Sequence, residues 1–232
     1  MAQEGFDLAV VGAGIVGLAC ALAGARRGKR VVVIDRDAQA NGASVRNFGF
    51  VTVTGQRRGV MWERARRSRD VWAEVAAVAR IPIQQRGLTM AVRRPEALDV
   101  LEAFMGTEMA EGCHLLTRAQ LAERRPDLQG PDLLAGLASP HDLRVESREA
   151  IPRLAQWLEQ RHGVRFQRQT AVLSVETGCV HTASGPIRAE AIVVCPGDDL
   201  TGLFADRLAA YDITRCKLQM LRLADPGYRL PA

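Results

Sequence analysis

The first 35 residues alternate between two short apolar runs and a segment rich in small side chains. Leu8–Val11 and Val31–Ile34 are continuous apolar runs with the length of buried parallel strands. Between them, residues 12–17 read Gly-Ala-Gly-Ile-Val-Gly and lead into a segment typical of a helix packed closely on a sheet. The pattern predicts a strand, a glycine-rich turn, a helix and a second strand that ends at Asp35.

The rest of the chain contains helix and strand patterns in a less regular order. Apolar side chains recur at helical spacing over residues 59–80 and 147–161. Pro95 opens a further helix that continues to residue 111. Thr117 and Gln120 have the spacing of a capping box, which starts a short helix. Short strands are predicted at residues 50–54, 88–93, 164–166, 171–175, 180–182 and 191–194.

A change of pattern at about residue 84 predicts a second domain within the first. The middle of the chain lacks a strand–helix–strand period, and Gly130-Pro131 and Ser139-Pro140 predict loops there. We therefore predict an α/β protein. Its Rossmann-like, dinucleotide-binding domain has a parallel sheet and covers residues 1–85 and 145–208, and an inserted α+β domain covers residues 86–144 and 209–232.

Composition is that of an ordinary globular protein, with 47% hydrophobic and 25% charged residues. The net charge of +5 comes almost wholly from arginine, since Lys29 and Lys217 are the only lysines, and most arginines are scattered. No apolar run has the length of a membrane span, and the N-terminus lacks the pattern of a cleaved signal peptide. We expect a cytoplasmic protein that binds neither nucleic acid nor membrane, although an acidic or phosphorylated substrate fits the charge.

Cysteine and histidine spacing gives no sign of a metal site. The five cysteines and four histidines form no Cys-x2-Cys or Cys/His cluster, so neither zinc nor a disulfide framework is predicted. Cys20 and Cys195 fall in apolar segments and are interpreted as small core residues. The sequence also shows no Ser/His/Asp arrangement and no carboxylate pair, so it identifies no catalytic side chain.

The glycine-rich turn carries the chemistry of a dinucleotide site. Gly12 allows the tight turn, Gly14 allows close approach of a pyrophosphate to the helix N-terminus, and Gly17 allows the helix to lie against the strand. Asp35 follows Gly17 by 18 residues, where a carboxylate accepts hydrogen bonds from a ribose. These residues alone fit either a flavin or a nicotinamide dinucleotide.

Four segments together resemble the FAD-dependent amine and amino-acid oxidoreductases of the glycine oxidase, sarcosine oxidase and D-amino-acid oxidase type. They are the turn-containing segment over residues 10–37, the loop GASVRNFG at residues 42–49, the segment over residues 142–176, and AIVVCPGDD at residues 191–199. The resemblance follows the family's order along the chain. Within the family, the sequence ASVRNFG most resembles that of a subgroup associated with aminophosphonate catabolism.

The resemblance implies FAD as cofactor and assigns further contacts to it. The loop places Ser44, Arg46, Asn47 and Gly49 over the pyrophosphate and flavin. For Arg36 three interpretations stay open: stacking on adenine, pairing with phosphate and simple solvation. For Arg46 two stay open: binding an anion and bracing its loop. The predicted cofactor-binding residues are Gly12, Gly14, Ile15, Val16, Gly17, Asp35, Arg36, Ser44, Arg46, Asn47, Gly49, Val172 (adenine side), Cys195 and Gly197 (flavin side).

The resemblance also implies a reaction. In this family the flavin takes a hydride from the carbon that bears the amine, water hydrolyses the imine, and oxygen or an electron-transfer partner reoxidises the flavin. Family members are longer, which implies that both domains are incomplete at the C-terminus here. Three functions stay open: an amine or amino-acid oxidoreductase, a nucleotide-binding fragment that associates through its incomplete sheet, and, with less support, an NAD-dependent dehydrogenase.

Overall fold

The computed structural model describes residues 5–128, 130–219, 221, 224 and 227. Within these residues the chain forms ten strands and six helices, together with single turns of 3-10 helix at Ala43–Val45 and Glu108–Ala110. The strands are β1 Phe6–Val11, β2 Val31–Ile34, β3 Phe50–Val51, β4 Ile83–Val92, β5 His114–Thr117, β6 Ala135–Val145, β7 Arg165–Gln167, β8 Val172–Glu176, β9 Cys179–Thr182 and β10 Gly185–Val194. The helices are α1 Ile15–Ala25, α2 Val60–Val78, α3 Pro95–Met105, α4 Arg118–Arg124, α5 Ser147–His162 and α6 Ala205–Ala209.

The described residues divide into two compact units. The first unit contains residues 5–47, 79–81 and 147–219, and the second contains residues 48–78, 82–128, 130–146, 221, 224 and 227. This division differs from the predicted boundaries chiefly at residues 48–78, which join the second unit because β3 pairs with β6 and α2 packs near both strands. Residues 209–219 also fall in the first unit, although the prediction gave them to the second.

A six-stranded sheet with the order β7-β2-β1-β10-β9-β8 forms the centre of the first unit. β1 runs parallel to β2 and β10, and β2 runs parallel to β7. β9 and β8 continue the sheet as an antiparallel pair from the first half of β10. This arrangement confirms the predicted α/β fold with a Rossmann-like parallel sheet.

Helix α1 and the β8–β9 pair cover opposite faces of the parallel strands. On one face, a Cβ built on Gly24 of α1 would lie 2.8 Å from Leu8 and 3.0 Å from Val31, which shows how closely the helix approaches. On the other face, Ala9 and Val32 share a buried cluster with Val180 of β9 and other residues of the antiparallel strands. β2 and the second half of β1 read as unbroken apolar runs because both of their faces are buried.

The second unit is built on an antiparallel sheet with the order β3-β6-β4, and β5 pairs with the first part of β6. Its buried Asp142 accepts hydrogen bonds from the backbone N–H groups of Val53 (2.9 Å) and Thr54 (3.2 Å), and from the Thr54 hydroxyl. This carboxylate fixes the backbone that follows β3. The predicted capping box is also confirmed, since Thr117 Oγ1 accepts from the N–H of Gln120 and Gln120 Oε1 accepts from the N–H of Thr117.

Strand β6 contradicts the prediction of a loop at Ser139-Pro140. The strand has 11 residues and forms the centre of its sheet. Pro140 is accommodated because the pairing of β4 with β6 shifts register between Arg86 and Leu88, and because β5 pairs with β6 only as far as Ala138. A proline without an N–H is tolerated at such a bulge.

Among the described residues, no helix combines the length and the apolar character needed to cross a lipid bilayer.

Candidate functional site

The turn after β1 brings two strand ends together. Gly12 has φ +104°, a conformation that L residues rarely adopt, and a Cβ there would lie 2.3 Å from the carbonyl oxygen of Cys195. The N–H of Cys195 donates to the carbonyl of Val11 at 2.7 Å. The ends of β1 and β10 are therefore joined at a position that accepts only glycine.

Helix α1 begins directly after this turn, and its first N–H group, that of Ile15, faces a polar side chain. The N–H of Ile15 donates to Ser44 Oγ at 3.0 Å, and a Cβ on Gly14 would lie 2.9 Å from the same oxygen. Gly17 packs closer still, since a Cβ there would lie 1.8 Å from the carbonyl oxygen of Gly12. No acidic side chain occupies the first turn of α1, so the positive end of the helix dipole is available to an anion.

Asp35 lies beside the glycine turn, at the end of β2. Its Oδ2 accepts from the N–H of Ala13 at 2.6 Å, and its Oδ1 accepts from the N–H of Asp37 at 2.8 Å. A carboxylate has about four acceptor positions, so two of them remain for further donors. Asp35 thus braces the turn and still has capacity for the hydroxyls of a ribose.

Arg36 and Asp199 form an ion pair between the segment after β2 and the segment after β10. Arg36 Nη1 lies 2.8 Å from Asp199 Oδ2, and Asp199 Oδ1 accepts from the N–H groups of Thr201 and Gly202, each at 3.1 Å. The Thr201 N–H, followed by the Arg36 guanidinium, holds the pKa of Asp199 below its usual value. The structure shows Arg36 in an ion pair with a protein carboxylate, which is none of the three roles left open for it.

These elements surround a cleft of about 290 Å³ at the carboxyl ends of β1, β2 and β10. In open α/β sheets, ligands bind at this edge of the strands. The predicted residues that line the cleft are Gly12, Gly14, Asp35, Arg36, Ser44, Val172, Cys195 and Gly197.

Six predicted residues lie outside the cleft lining: Ile15, Val16, Gly17, Arg46, Asn47 and Gly49. Ile15 contributes its N–H, and Gly17 contributes the close contact between helix and turn. The side chains of Val16 and Arg46 are exposed to solvent. Gly49 belongs to the second unit, where its carbonyl accepts from the N–H of Val145, so the predicted loop divides between the two units.

Asn47 holds the loop rather than lining the cleft. Its Nδ2 donates to the carbonyls of Ala43 (2.9 Å) and Ser44 (3.0 Å), and its Oδ1 accepts from the hydroxyl of Ser147 at the start of α5 (2.7 Å). Because these bonds fix the single helical turn that carries Ser44, Asn47 positions the hydroxyl that faces the start of α1.

Several lining residues were not among the predicted site residues, although some lie in the segments that carried the prediction. Thr170 precedes β8, and its N–H donates to the carbonyl of Asp35 at 2.8 Å. Asp198 and Asp199 lie within the AIVVCPGDD segment, whose polar ending was the only available signal for them. The lining residues missed by the prediction include Ala40, Asn41, Gly42, Thr170, Ala171, Pro196, Asp198, Asp199, Gly202 and Leu203.

Cys195 contributes its backbone to the cleft, and its side chain is not a reactive thiol. Burial, with the neighbouring Cys20 thiol as a further cause, raises the pKa of Cys195 to about 11. The thiol therefore stays protonated at neutral pH, where a nucleophile would have to be a thiolate. Cys20 and Cys195 are half-buried rather than core residues, and Cys195 lines the cleft, which corrects their interpretation as small core residues.

Comparison with known proteins identifies the family. Residues 7–231 match the family described as DAO, FAD dependent oxidoreductase, and the chain belongs to that family. The bifunctional protein ThiO/ThiG of Nostoc sp. is 28% identical over 240 residues, which are 95% of this chain and 34% of that protein. The predicted cofactor, FAD, is the one named for the family.

Solved structures share the fold. Glycine oxidase from Bacillus cereus has a TM-score of 0.72 and 24% identity, covering 87% of this chain and 58% of that one. Glycine oxidase from Geobacillus kaustophilus has a TM-score of 0.73 and 24% identity, covering 88% and 57%. L-Amino acid deaminase from Proteus myxofaciens has a TM-score of 0.75 and 20% identity, covering 87% and 47%. This chain thus spans from about a third to somewhat over half the length of these proteins.

Proposed function

From this family membership and the geometry of the cleft, we propose that the chain binds FAD and serves the oxidation of a small primary or secondary amine to an imine. The observation that best supports this proposal is the meeting of the glycine turn, the start of α1 and the Asp35 carboxylate at the carboxyl edge of the parallel sheet. Backbone N–H groups at a helix start suit a pyrophosphate, and an acid at the end of the second strand suits a ribose.

The residues of the cleft fit the nucleotide part of FAD. We assign the pyrophosphate to the start of α1, with Ser44 as a further hydrogen-bonding group, and the ribose to the two unused acceptor positions of Asp35. Val172 is assigned to adenine, and the backbone of residues 195–197 to the flavin side. The cleft volume of about 290 Å³ is at the lower end of ligand pockets, which supports a site for part of an extended cofactor.

Bound FAD would supply the hydride acceptor, so the chain itself needs no strong acid or base. The protein's own contribution is to fix the turn, to offer N–H groups and a carboxylate in set positions, and to keep the Cys195 thiol protonated beside the cleft. This agrees with the lack of any nucleophile–base arrangement in the sequence.

An amino acid is the substrate class that the related proteins favour, since their names include glycine oxidase and L-amino acid deaminase. An aminophosphonate is the more specific proposal, and it rests on the resemblance of the ASVRNFG loop alone. Oxygen or an electron-transfer partner would reoxidise the flavin.

Nucleotide binding without amine oxidation is the second candidate. It is favoured by the cleft itself, because the groups assigned there all serve the nucleotide or the flavin side and none is assigned to an amine.

The test separates cofactor binding from chemistry. The purified chain is mixed with FAD, freed of excess by gel filtration and scanned for flavin absorbance, with Asp35→Ala as the variant expected to retain less. Bound flavin is then exposed anaerobically to glycine, other amino acids and 2-aminoethylphosphonate. Bleaching by an amine supports oxidation and identifies its class, whereas stoichiometric FAD without bleaching supports the second candidate. Failure to retain or bind FAD would overturn both proposals.

A further inference from the structure

The β8–β9 hairpin brings three potential metal ligands to one face of the sheet. Glu176 and Cys179 are directly paired across a two-residue turn, and His181 lies two residues beyond Cys179 on β9. Paired residues, and residues two apart on one strand, share a face. All three side chains therefore point away from the face on which Val180 is completely buried.

The distances suit a metal ion after a small adjustment. One ligand atom from each of the three side chains lies within 4.8 Å of the others, and His181 Nε2 is 2.9 Å from Glu176 Oε1. A tetrahedral zinc ion, with bonds of about 2.0–2.3 Å, needs its ligand atoms roughly 3.4–3.6 Å apart. The Glu176 side chain is 67% exposed and has room to rotate, whereas the Cys179 side chain is held in place by burial.

We propose that Glu176, Cys179 and His181 form a binding site for a divalent cation of the zinc class. A thiolate and an imidazole select zinc and its neighbours over magnesium and calcium, which prefer all-oxygen ligand sets. Three protein ligands leave a fourth position for water. The metal ties the two strands of the hairpin together next to their turn.

This proposal reverses the expectation, drawn from cysteine and histidine spacing, that the chain has no metal site. The Cys-Val-His spacing is shorter than that of zinc motifs, and the third ligand comes from the partner strand. The register of the hairpin, rather than a linear motif, assembles the set.

The site is separate from the nucleotide cleft. Val172, which lines the cleft, begins β8, and Glu176 ends it, so the two are about 13 Å apart along an extended strand. A metal at the turn thus acts on the hairpin and does not take part in chemistry at the cleft.

Arg188 of β10 gives the proposal a directional test. It is the pairing partner of Cys179 on the far side of β9, and it is exposed to solvent. A guanidinium near the ligands repels a cation, so Arg188→Gln should bind the metal more tightly than the wild type.

The experiment uses the untagged full chain, stripped of metal with a chelator and titrated with Co²⁺ as a spectroscopic probe, followed by displacement with Zn²⁺. One equivalent of Co²⁺ should produce a thiolate-to-cobalt charge-transfer band that Zn²⁺ removes. Cys179→Ser should abolish the band, and His181→Gln and Glu176→Gln should each weaken binding about ten-fold or more. Cys216→Ser, which alters an exposed cysteine elsewhere, is the matched control and should leave the band unchanged.

Three results would overturn the site: no band in the wild type, a band that survives in Cys179→Ser, or a band that depends on Cys216. Circular dichroism establishes that each variant is folded. If Cys179→Ser is not folded, Glu176→Gln decides the outcome, because its exposed side chain is not part of the core.

Discussion

Two glycines in the turn before α1 should separate protein stability from cofactor binding. A Cβ on Gly14 would meet only the Ser44 side chain, with Oγ at 2.9 Å, and the backbone of Gly14 (φ −72°, ψ 177°) suits alanine. Gly14→Ala therefore risks one hydrogen bond, about 1 kcal/mol. The smaller entropy of the unfolded alanine chain offsets about 0.4–1 kcal/mol of this. Its free energy of unfolding without FAD should stay close to that of the wild type.

Gly17→Ala should behave differently because its new Cβ meets backbone. The methyl group would lie 1.8 Å from the carbonyl oxygen of Gly12 and 3.0 Å from its carbon, so the helix must move by roughly 1 Å or more. We expect a loss of about 3 kcal/mol after a gain of about 1 kcal/mol in helix propensity. For a chain of this size, that corresponds to a Tm lower by about 6–12 °C.

The assay pairs thermal unfolding without FAD with titration of FAD into the folded protein. Gly14→Ala should keep its Tm and bind FAD about ten-fold or more weakly, since its methyl group intrudes where the pyrophosphate is assigned. Gly17→Ala should lose both. Gly5→Ala, whose new Cβ would meet nothing within 4 Å, is the matched control. Wild-type FAD affinity in Gly14→Ala, or an unchanged Tm in Gly17→Ala, would refute the reasoning.

Three further variants test other parts of the molecule. Asp142→Ala leaves the N–H groups of buried Val53 and half-buried Thr54 without their acceptor and should cost about 2–4 kcal/mol of unfolding free energy, measured by denaturant titration. Leu158→Ala removes a side chain with no exposed surface and should cost about 2–5 kcal/mol in the same assay. The Thr201 N–H lowers the pKa of Asp199, so this carboxylate stabilises the fold at neutral pH and ceases to do so as pH falls through its lowered pKa. Asp199→Asn should lower Tm at pH 7, and the two curves of Tm against pH should converge as the pH falls through the lowered pKa of Asp199.

The first βαβ unit could be predicted from sequence because its signals are local. A Cβ on Gly17 would lie 1.8 Å from the carbonyl oxygen of nearby Gly12, so residue type and spacing carry the geometry of the turn directly. The capping box at Thr117 and Gln120 is equally local, since the two residues satisfy each other's N–H groups. In both places the residues that interact lie within a few positions of one another in the chain.

Strand β6 could not be recognised for the opposite reason. Pro140 is typical of a loop, and only the register shift in the pairing with β4 shows how a strand accommodates it. Some residues that line the cleft could not be predicted because they are placed by contacts distant in sequence. Thr170 is held by the bond from its N–H to the carbonyl of Asp35, and Asp199 by its ion pair with Arg36. Each contact joins segments more than 130 residues apart in the chain. No window of sequence contains both partners.

All the residues that line the cleft belong to the first unit, so we expect nucleotide binding to be independent of the second unit. The turn after β1, the end of β2 and the segment after β10 are held by bonds within that unit, such as those from Cys195 to Val11 and from Thr170 to Asp35. Damage confined to the second unit should therefore leave nucleotide binding intact at temperatures where the chain is folded. Asp142→Ala is the critical case, since it should lower stability and yet retain FAD in the same stoichiometry as the wild type. Loss of FAD from folded Asp142→Ala would mean that residues outside the cleft lining are needed to hold the cofactor.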